Sequence, residues 1–401
     1  MISLCMIVKN EETTLSQCLE SVQDLVEEIV IIDTGSTDAT VKIAQDFDAK
    51  VYHYLWNHDF AAARNHALQY VTGDWVLVLD ADEVLVPTVI PDIQKAISQE
   101  NNLVVNLLRQ EIGSASSPFS LVSRLFRNHP QLKFTRPYHA IIDDRVTELL
   151  QSESYWRIVD LPSIAINHYG YNIQVIAAKD KTIRAKIAME KYFHDHPHDA
   201  YVCSKLGALY LQIGEEKKGI KLLKTGLKSN QGEAPVIYEL HYHLANALVK
   251  QKDLERAEKH YQKAIEQSIL PQIKVGAYHN LAGIYQLLNQ WEKALTLSEK
   301  CLEIIPNFAL GYYNLGLIYK NLGRTFKAIS AYQKAIELDQ ENPYPYQNLG
   351  VLWLKQGSLQ ESVECFKKAI NLHQKRQNLL EAKRLTKELK AMGIVISDVG
   401  E

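Results

Sequence analysis

Two hydrophobic rhythms divide the chain near residue 170. Before that point, short apolar runs alternate with amphipathic stretches. Residues 2–8, 28–32, 50–54 and 75–79 are rich in aliphatic and β-branched side chains and read as strands. The stretches 12–24, 39–47, 59–71 and 90–98 carry helical spacing instead. This alternation predicts an α/β domain built on a Rossmann-like, mostly parallel, doubly wound sheet. Past Asn102 the runs 103–108, 121–126, 140–142 and 163–166 are shorter and less regular, and are expected as added mixed strands around a site.

The second rhythm is a repeat. Leu206-Gly207 with Tyr210 recurs as Leu244-Ala245 with Leu248, Leu281-Ala282 with Tyr285, Leu315-Gly316 with Tyr319, and Leu349-Gly350 with Trp353. The steps are 38, 37, 34 and 34 residues, and small residues follow twelve positions later at Gly219, Ala257, Ala294, Ala328 and Ser362. The spacing matches the tetratricopeptide pattern, in which small residues let paired helices approach closely. It predicts an all-α solenoid of about five repeats over residues 199–376, then a capping helix and tail over 377–401. The two longer early steps should lengthen helices or loops between repeats. Residues 1–172 form the first domain, and 173–198 a bridging helix and linker. The His194-Asp195-His196-Pro197-His198-Asp199 cluster reads as a solvated turn in preference to a metal site.

Composition narrows the class. The length suits two domains, and the net charge of -3 gives no bulk reason to expect nucleic-acid binding. Five cysteines without a C-x-x-C pair fit reduced thiols in a cytoplasmic chain. No apolar stretch approaches 18 residues, so no transmembrane span is expected.

The candidate chemistry lies in the first domain. Asp80 and Asp82 leave the run Trp75-Val76-Leu77-Val78-Leu79. In an extended chain residues i and i+2 face one side, so both carboxylates are expected to share a site with a divalent cation. Oxygen donors suit Mg²⁺ or Mn²⁺, which takes substrate phosphates as further ligands. The alternative is a polar exit into a helix start at Asp82 and Glu83. Asp33-Thr34-Gly35-Ser36-Thr37-Asp38 follows the second strand, where Gly35 permits a tight turn and Asp33 can accept hydrogen bonds from a base or ribose. Glu27 and Glu28 are expected on a solvated face. Arg124 and Arg127 could meet diphosphate charge, although surface pairing is the plainer reading.

Taken in order, Ile7-Val8-Lys9-Asn10-Glu11-Glu12, Ile31-Ile32-Asp33-Thr34-Gly35-Ser36-Thr37-Asp38, Ala63-Arg64-Asn65 and Gly73-Asp74-Trp75 leading to Leu79-Asp80-Ala81-Asp82-Glu83 resemble the family-2 glycosyltransferases of the GT-A fold. The resemblance covers about residues 1–170. A repeat array behind such a domain resembles a bacterial subgroup that includes the sublancin-type peptide S-glycosyltransferases. It implies that Asn10 and Glu11 border the nucleotide, that Asp33 contacts the base, and that Arg64 lines the base and diphosphate. It also implies Asp80 and Asp82 as the Asp-x-Asp pair, Asp80 nearer the ribose and Asp82 the metal ligand. Ile166-Asn167-His168-Tyr169-Gly170-Tyr171 resembles the late motif whose histidine, His168, completes the metal shell.

One departure stands out. Relatives commonly show His-Glu where this chain has His139-Ala140, and Ala140 cannot activate an acceptor. Asp143 and Asp144 are the nearest replacement bases, with an exposed acidic loop as their alternative, and Glu83 is a weaker candidate. A thiol acceptor would depend less on a dedicated base. The expected function is metal-dependent, inverting transfer from a nucleoside-diphosphate sugar, UDP-linked by expectation, to a protein or peptide selected by the repeats. The alternatives are a glycan or lipid-linked acceptor with the repeats serving self-association as a homodimer, or a catalytically weak scaffold.

Overall fold

The computed structural model describes residues 1–113, 118–138, 140–169, 175–229 and 232–393. The chain forms two compact units, Met1–Gly276 and Ala277–Glu401.

In the first unit, the order is β1 (Ile2–Val8), α1 (Leu15–Val22), β2 (Glu28–Asp33), α2 (Thr40–Asp46), β3 (Lys50–His53), α3 (Phe60–Ala67), β4 (Trp75–Val78), β5 (Glu83–Leu85), α4 (Ile90–Ile97), β6 (Asn102–Glu111), β7 (Phe119–Arg127), α5 (Asp143–Ser152) and β8 (Arg157–His168). The eight strands make one sheet ordered β3-β2-β1-β4-β7-β6-β8-β5. β3, β2, β1 and β4 run parallel, while β7 is antiparallel to both neighbours and β6–β8 is again parallel. The sheet is therefore mixed, as the irregular later runs implied.

Layering explains the apolar strands. Ile2, Leu4, Met6 and Val8 of β1 pack on one face with Leu15, Leu19 and Val22 of α1. Val30, Ile32, Val76 and Val78 pack on the other with Ala61 and Ala67 of α3 and Val146 and Leu149 of α5. With both faces covered, most successive residues on β1, β2 and β4 are apolar. After β1 the chain winds to β2 and β3 on one side, then returns to place β4 on the other. The crevice at the carboxyl ends of β1 and β4 is thus the switch point, where open α/β sheets bind ligands.

Several expectations are corrected. Residues 140–142 form no strand; an isolated bridge joins Thr135 and Ile141, and α5 follows at once. Glu28 is buried, its carboxylate accepting from Ser3 Oγ at 2.5 Å, Lys50 Nζ at 2.8 Å and Thr72 N at 2.8 Å. A strand-start glutamate became a tie between three elements because β1 and β3 flank it.

The first unit continues with α6 (Val175–Asp195), α7 (Ala200–Gln212), α8 (Glu216–Lys228), α9 (Ala234–Lys250) and α10 (Leu254–Ile265). The expected helix start at Ile173 lies outside the described residues, as do Gly170 and Tyr171. Gly207 and Gly219 mark the contact of α7 with α8. A Cβ on Gly219 would stand 2.8 Å from the Gly207 carbonyl oxygen, so the backbones meet where only glycine fits. α11 (Pro271–Leu287) carries the unit boundary. α9 and α11 have 17 residues each against 13 in α7, so the longer early repeats are absorbed by helix length.

The second unit holds α12 (Trp291–Ile304), α13 (Ala309–Asn321), α14 (Thr325–Leu338), α15 (Pro343–Lys355), α16 (Leu359–Lys375) and α17 (Leu379–Ala391). Tyr332 is fully buried among Ala328, Leu349 and Leu352. The cap α17 seals the end through Ala382, Leu385 and Leu389 against Phe366 and Ile370.

Candidate active site

Asp80 and Asp82 stand at the exit of β4, but not side by side on a strand. The strand ends at Val78, and the Glu83 amide donates to the Asp80 carbonyl at 3.0 Å, closing a turn over residues 80–83. Within this turn the two carboxylates meet different partners. Asp80 accepts from Arg64 Nη2 at 2.7 Å and from Arg124 Nη2 at 2.6 Å. Burial pushes its carboxyl pKa up, but the charges of Arg124 and Arg64 override it and hold the group well below the usual carboxylate range. Asp82 instead faces His168, Oδ2 to Nε2, at 3.4 Å.

These contacts belong to a chain of alternating charges. From Arg64 it passes through Asp80 to Arg124, which lies 3.5 Å from Glu83 Oε1. Arg109 then bridges Glu83 at 2.7 Å and Glu111 at 2.8 Å. Glu111 meets His168 Nδ1 at 2.6 Å, and His168 meets Asp82. The sheet order sets this up, because β8 lies between β6 and β5 with His168 opposite both Glu111 and Glu83. Burial lowers the His168 pKa, yet its hydrogen bonds to Asp82 and Glu111 prevail and raise it to about 9.

Three further residues expected beside the nucleotide, Asn10, Glu11 and Asp33, sit at the exits of β1 and β2. Asn10 adopts a left-handed backbone with φ 57° and accepts from the Thr37 amide at 2.8 Å, while its own amide donates to Ser36 Oγ. The Glu11 amide donates to Thr40 Oγ1 at 2.7 Å. Asp33 is buried and caps its own turn, accepting from the Gly35 and Ser36 amides and lying 3.2 Å from His53 Nδ1. Burial raises its pKa, but these hydrogen bonds win and lower it. Gly35 takes φ 102°, a conformation that suits glycine.

The replacement-base candidates begin α5. Asp144 is engaged by Arg136 through Nη2 at 2.9 Å and Nε at 3.1 Å, and by Thr135 Oγ1 at 2.5 Å. Asp143 is exposed and accepts from Ser123 Oγ at 2.9 Å. Its pKa is raised, first by desolvation and then by Asp144. Pairing jumps from Leu107↔Val122 to Val105↔Leu125, so Ser123 and Arg124 together oppose Asn106. That bulge breaks strict alternation and lets neighbouring residues serve Asp143 and Asp80. Glu83 is fully buried in the charge chain, which removes it as an acceptor base.

Comparison with known proteins fits this arrangement. Residues 3–159 match the glycosyl transferase family 2 pattern, and residues 238–268, 274–341 and 346–376 match tetratricopeptide repeats. The chain is 41% identical over 305 residues to a TPR repeat-containing protein of Synechococcus elongatus, covering 76% of each. The chain belongs to the family-2 glycosyltransferases that carry tetratricopeptide repeats. It is also 27% identical over 239 residues to the SPbeta prophage-derived glycosyltransferase SunS of Bacillus subtilis, a match spanning 56% of this chain and about half, 52%, of that relative. MamA from Desulfovibrio magneticus RS-1 has a TM-score of 0.39 and 24% identity over 44% of this chain and 96% of its own.

The cluster at this candidate site includes residues that the motifs did not name. Arg109 and Glu111 end β6 at i and i+2, the same spacing that drew attention to Asp80 and Asp82, and that pattern could have flagged them. Arg124 is 15% exposed and central to the charge chain, whereas Arg127 stacks on Trp75 at 4.8 Å and donates to backbone carbonyls. Asn65, the last residue of the Ala63-Arg64-Asn65 motif, clamps Phe134 by two hydrogen bonds of 2.9 and 2.8 Å. Among the described residues, no group of three or more His, Cys, Asp or Glu could hold a metal ion alone. Asp82 and His168 nevertheless fit a cation that draws its other ligands from phosphate and water, and Glu111 orients the imidazole from behind.

Proposed function

We propose that this glycosyltransferase moves a sugar from a UDP-linked donor to a protein or peptide held by the repeats, with Mn²⁺ or Mg²⁺ at Asp82 and His168. The observation that carries the reading is the charge chain ending at Asp82 in the switch-point crevice. A divalent cation there would neutralise charge developing on the leaving diphosphate. Asp80, already neutralised by Arg64 and Arg124, adds little repulsion toward that anion, and guanidinium groups match phosphate geometry. Asn10 and Glu11 hold the β1 exit against the β2 exit, fixing the wall beside Asp33 on the nucleotide side.

For transfer, the acceptor heteroatom attacks the anomeric carbon with inversion. The bond to the diphosphate oxygen breaks, and its electron pair leaves with the nucleoside diphosphate. Asp143 takes the acceptor's proton, being a surface residue whose carboxylate meets the Ser123 hydroxyl where Asp144 meets a guanidinium. Asp144 is too strongly engaged by Arg136 and Thr135 for that role.

Calorimetry with UDP and GDP, each with and without Mn²⁺, tests the donor side. Binding of UDP only with the cation is expected; tight cation-free binding, or none to either nucleotide, counts against it. A nucleotide-sugar panel with cell extract, followed by intact-protein mass spectrometry, tests the acceptor. One protein gaining a sugar mass is expected, and label found only in lipid or glycan would overturn the acceptor class.

A further inference from the structure

Arg136 is out of proportion to its surroundings. It begins the turn between Thr135 and Ile141 with φ 72°, a left-handed conformation that L side chains seldom adopt. Its side chain is 9% exposed, and its Nη1 is buried without a hydrogen bond. Backbone strain of this kind persists where the surroundings over-determine it.

The surroundings do so from three sides. Nε and Nη2 grip Asp144 in the first turn of α5. Nη2 also lies 3.3 Å from Asp199, which caps α7 by accepting from the Val202 amide at 3.0 Å. The guanidinium stacks over the Tyr201 ring at 4.3 Å. Arg136 thereby ties the helix that begins with Asp143 to the first repeat helix. The groups facing Asp143 are Ser123 from β7, Asp144 beside it, Arg136 from the turn and Tyr201 from α7, with Lys205 one helical turn beyond.

We propose that Arg136 is a positioning residue for sugar transfer, clamping Asp144 to Asp199 so that α5 presents Asp143 to an acceptor lying against the first repeat helix. This rests on Asp143 being the base. The clamp leaves Asp143 as the acidic residue of the pair without a guanidinium partner. It also makes the geometry of the reaction depend on α7, so the repeat array contributes to the transfer step itself. The sequence stretch read as a solvated turn, ending at Asp199, is where that dependence enters.

The test uses the full chain with carbon-13-labelled aspartate, the Asp143 carboxyl signal being assigned by its loss in Asp143→Asn. Nucleoside-diphosphate release from the best donor, with water as acceptor, gives kcat and KM. Arg136→Gln is expected to move the Asp143 titration midpoint to higher pH by about one pH unit, because a cation is lost and Asp144 is freed. Release should fall about tenfold in kcat with donor KM unchanged. Arg136→Lys restores the charge but not the two-toothed grip, so its midpoint stays near wild type while kcat remains reduced. Asp199→Asn keeps the helix cap and cuts the ion pair, with a smaller loss in kcat. An unmoved midpoint in folded Arg136→Gln overturns the proposal. If that variant does not fold, wild-type kcat in both Arg136→Lys and Asp199→Asn overturns it. Unchanged release in Asp143→Asn instead defeats the base assignment, a separate failure.

Discussion

The two aspartate pairs of this enzyme, Asp80 with Asp82 and Asp143 with Asp144, solve one problem in two ways. Two carboxylates close together repel, and each pair relieves this by giving one member to guanidinium groups. Asp80 goes to Arg64 and Arg124, and Asp144 goes to Arg136. The other member keeps a lighter partner, His168 for Asp82 and Ser123 for Asp143. The settings differ. The first pair sits on a turn after a buried strand, inside a continuous chain of charges. The second begins a helix, where acidic residues also meet the positive end of the helix dipole. The lesson is that the arginine partners, more than the aspartate spacing, decide which carboxylate is available for chemistry.

That contrast can be broken most severely at Asp82. Asp82→Asn should lower turnover on the order of 100-fold or more and abolish Mn²⁺-dependent nucleotide binding, measured by calorimetry on a folded variant. Unchanged turnover would remove Asp82 from the cation site. Asp143→Asn should lower turnover by about 100-fold while nucleotide binding persists, so the two pairs separate into donor and acceptor roles. If nucleotide binding fell instead, Asp143 would belong to the donor side.

A smaller effect is expected from behind the histidine. Glu111→Gln should weaken Mn²⁺ affinity by about tenfold, because Glu111 orients His168 without reaching the cation position. Equal affinity in the variant would show that the ring is held without Glu111. The smallest effect on activity belongs to Glu28, a buried carboxylate elsewhere in the same sheet. Burial would raise its pKa, but Lys50, Ser3 and Thr72 lower it from 4.5 to about 2. Its contribution to stability is therefore full above about pH 4.5 and fades as pH falls through about 2. Glu28→Gln should cost on the order of 2 kcal/mol near neutral pH with turnover unaffected, and the gap from wild type should close in acid. Denaturant melts across that range would show a pH-independent gap if the pairing did not matter.

Much of this was legible before any tertiary structure. The runs ending at Val8, Ile32 and Leu79 had to be buried strands because both faces carry apolar side chains. The 34-residue recurrence had to be stacked helix pairs because no single pair can bury its own apolar face. The early repeats showed their extra length as longer steps, and the longer helices α9 and α11 absorbed it. α5 carries Val146, Leu149 and Leu150 at helical spacing, a short stripe that the reading of Asp143 and Asp144 as a loop passes over.

The sequence alone determined the α/β domain, the repeat array and the family of the enzyme, since periodicity and ordered local motifs are properties of neighbouring residues. It also singled out both aspartate pairs. Only the tertiary structure decided what each aspartate faces. Arg64, Arg109, Arg124 and Arg136 come from elements far apart in the chain, and a charge finds its partner through space. The turn at residues 80–83 and the bulge at Ser123–Arg124 then set the directions, by departing from the regular geometry that sequence spacing assumes.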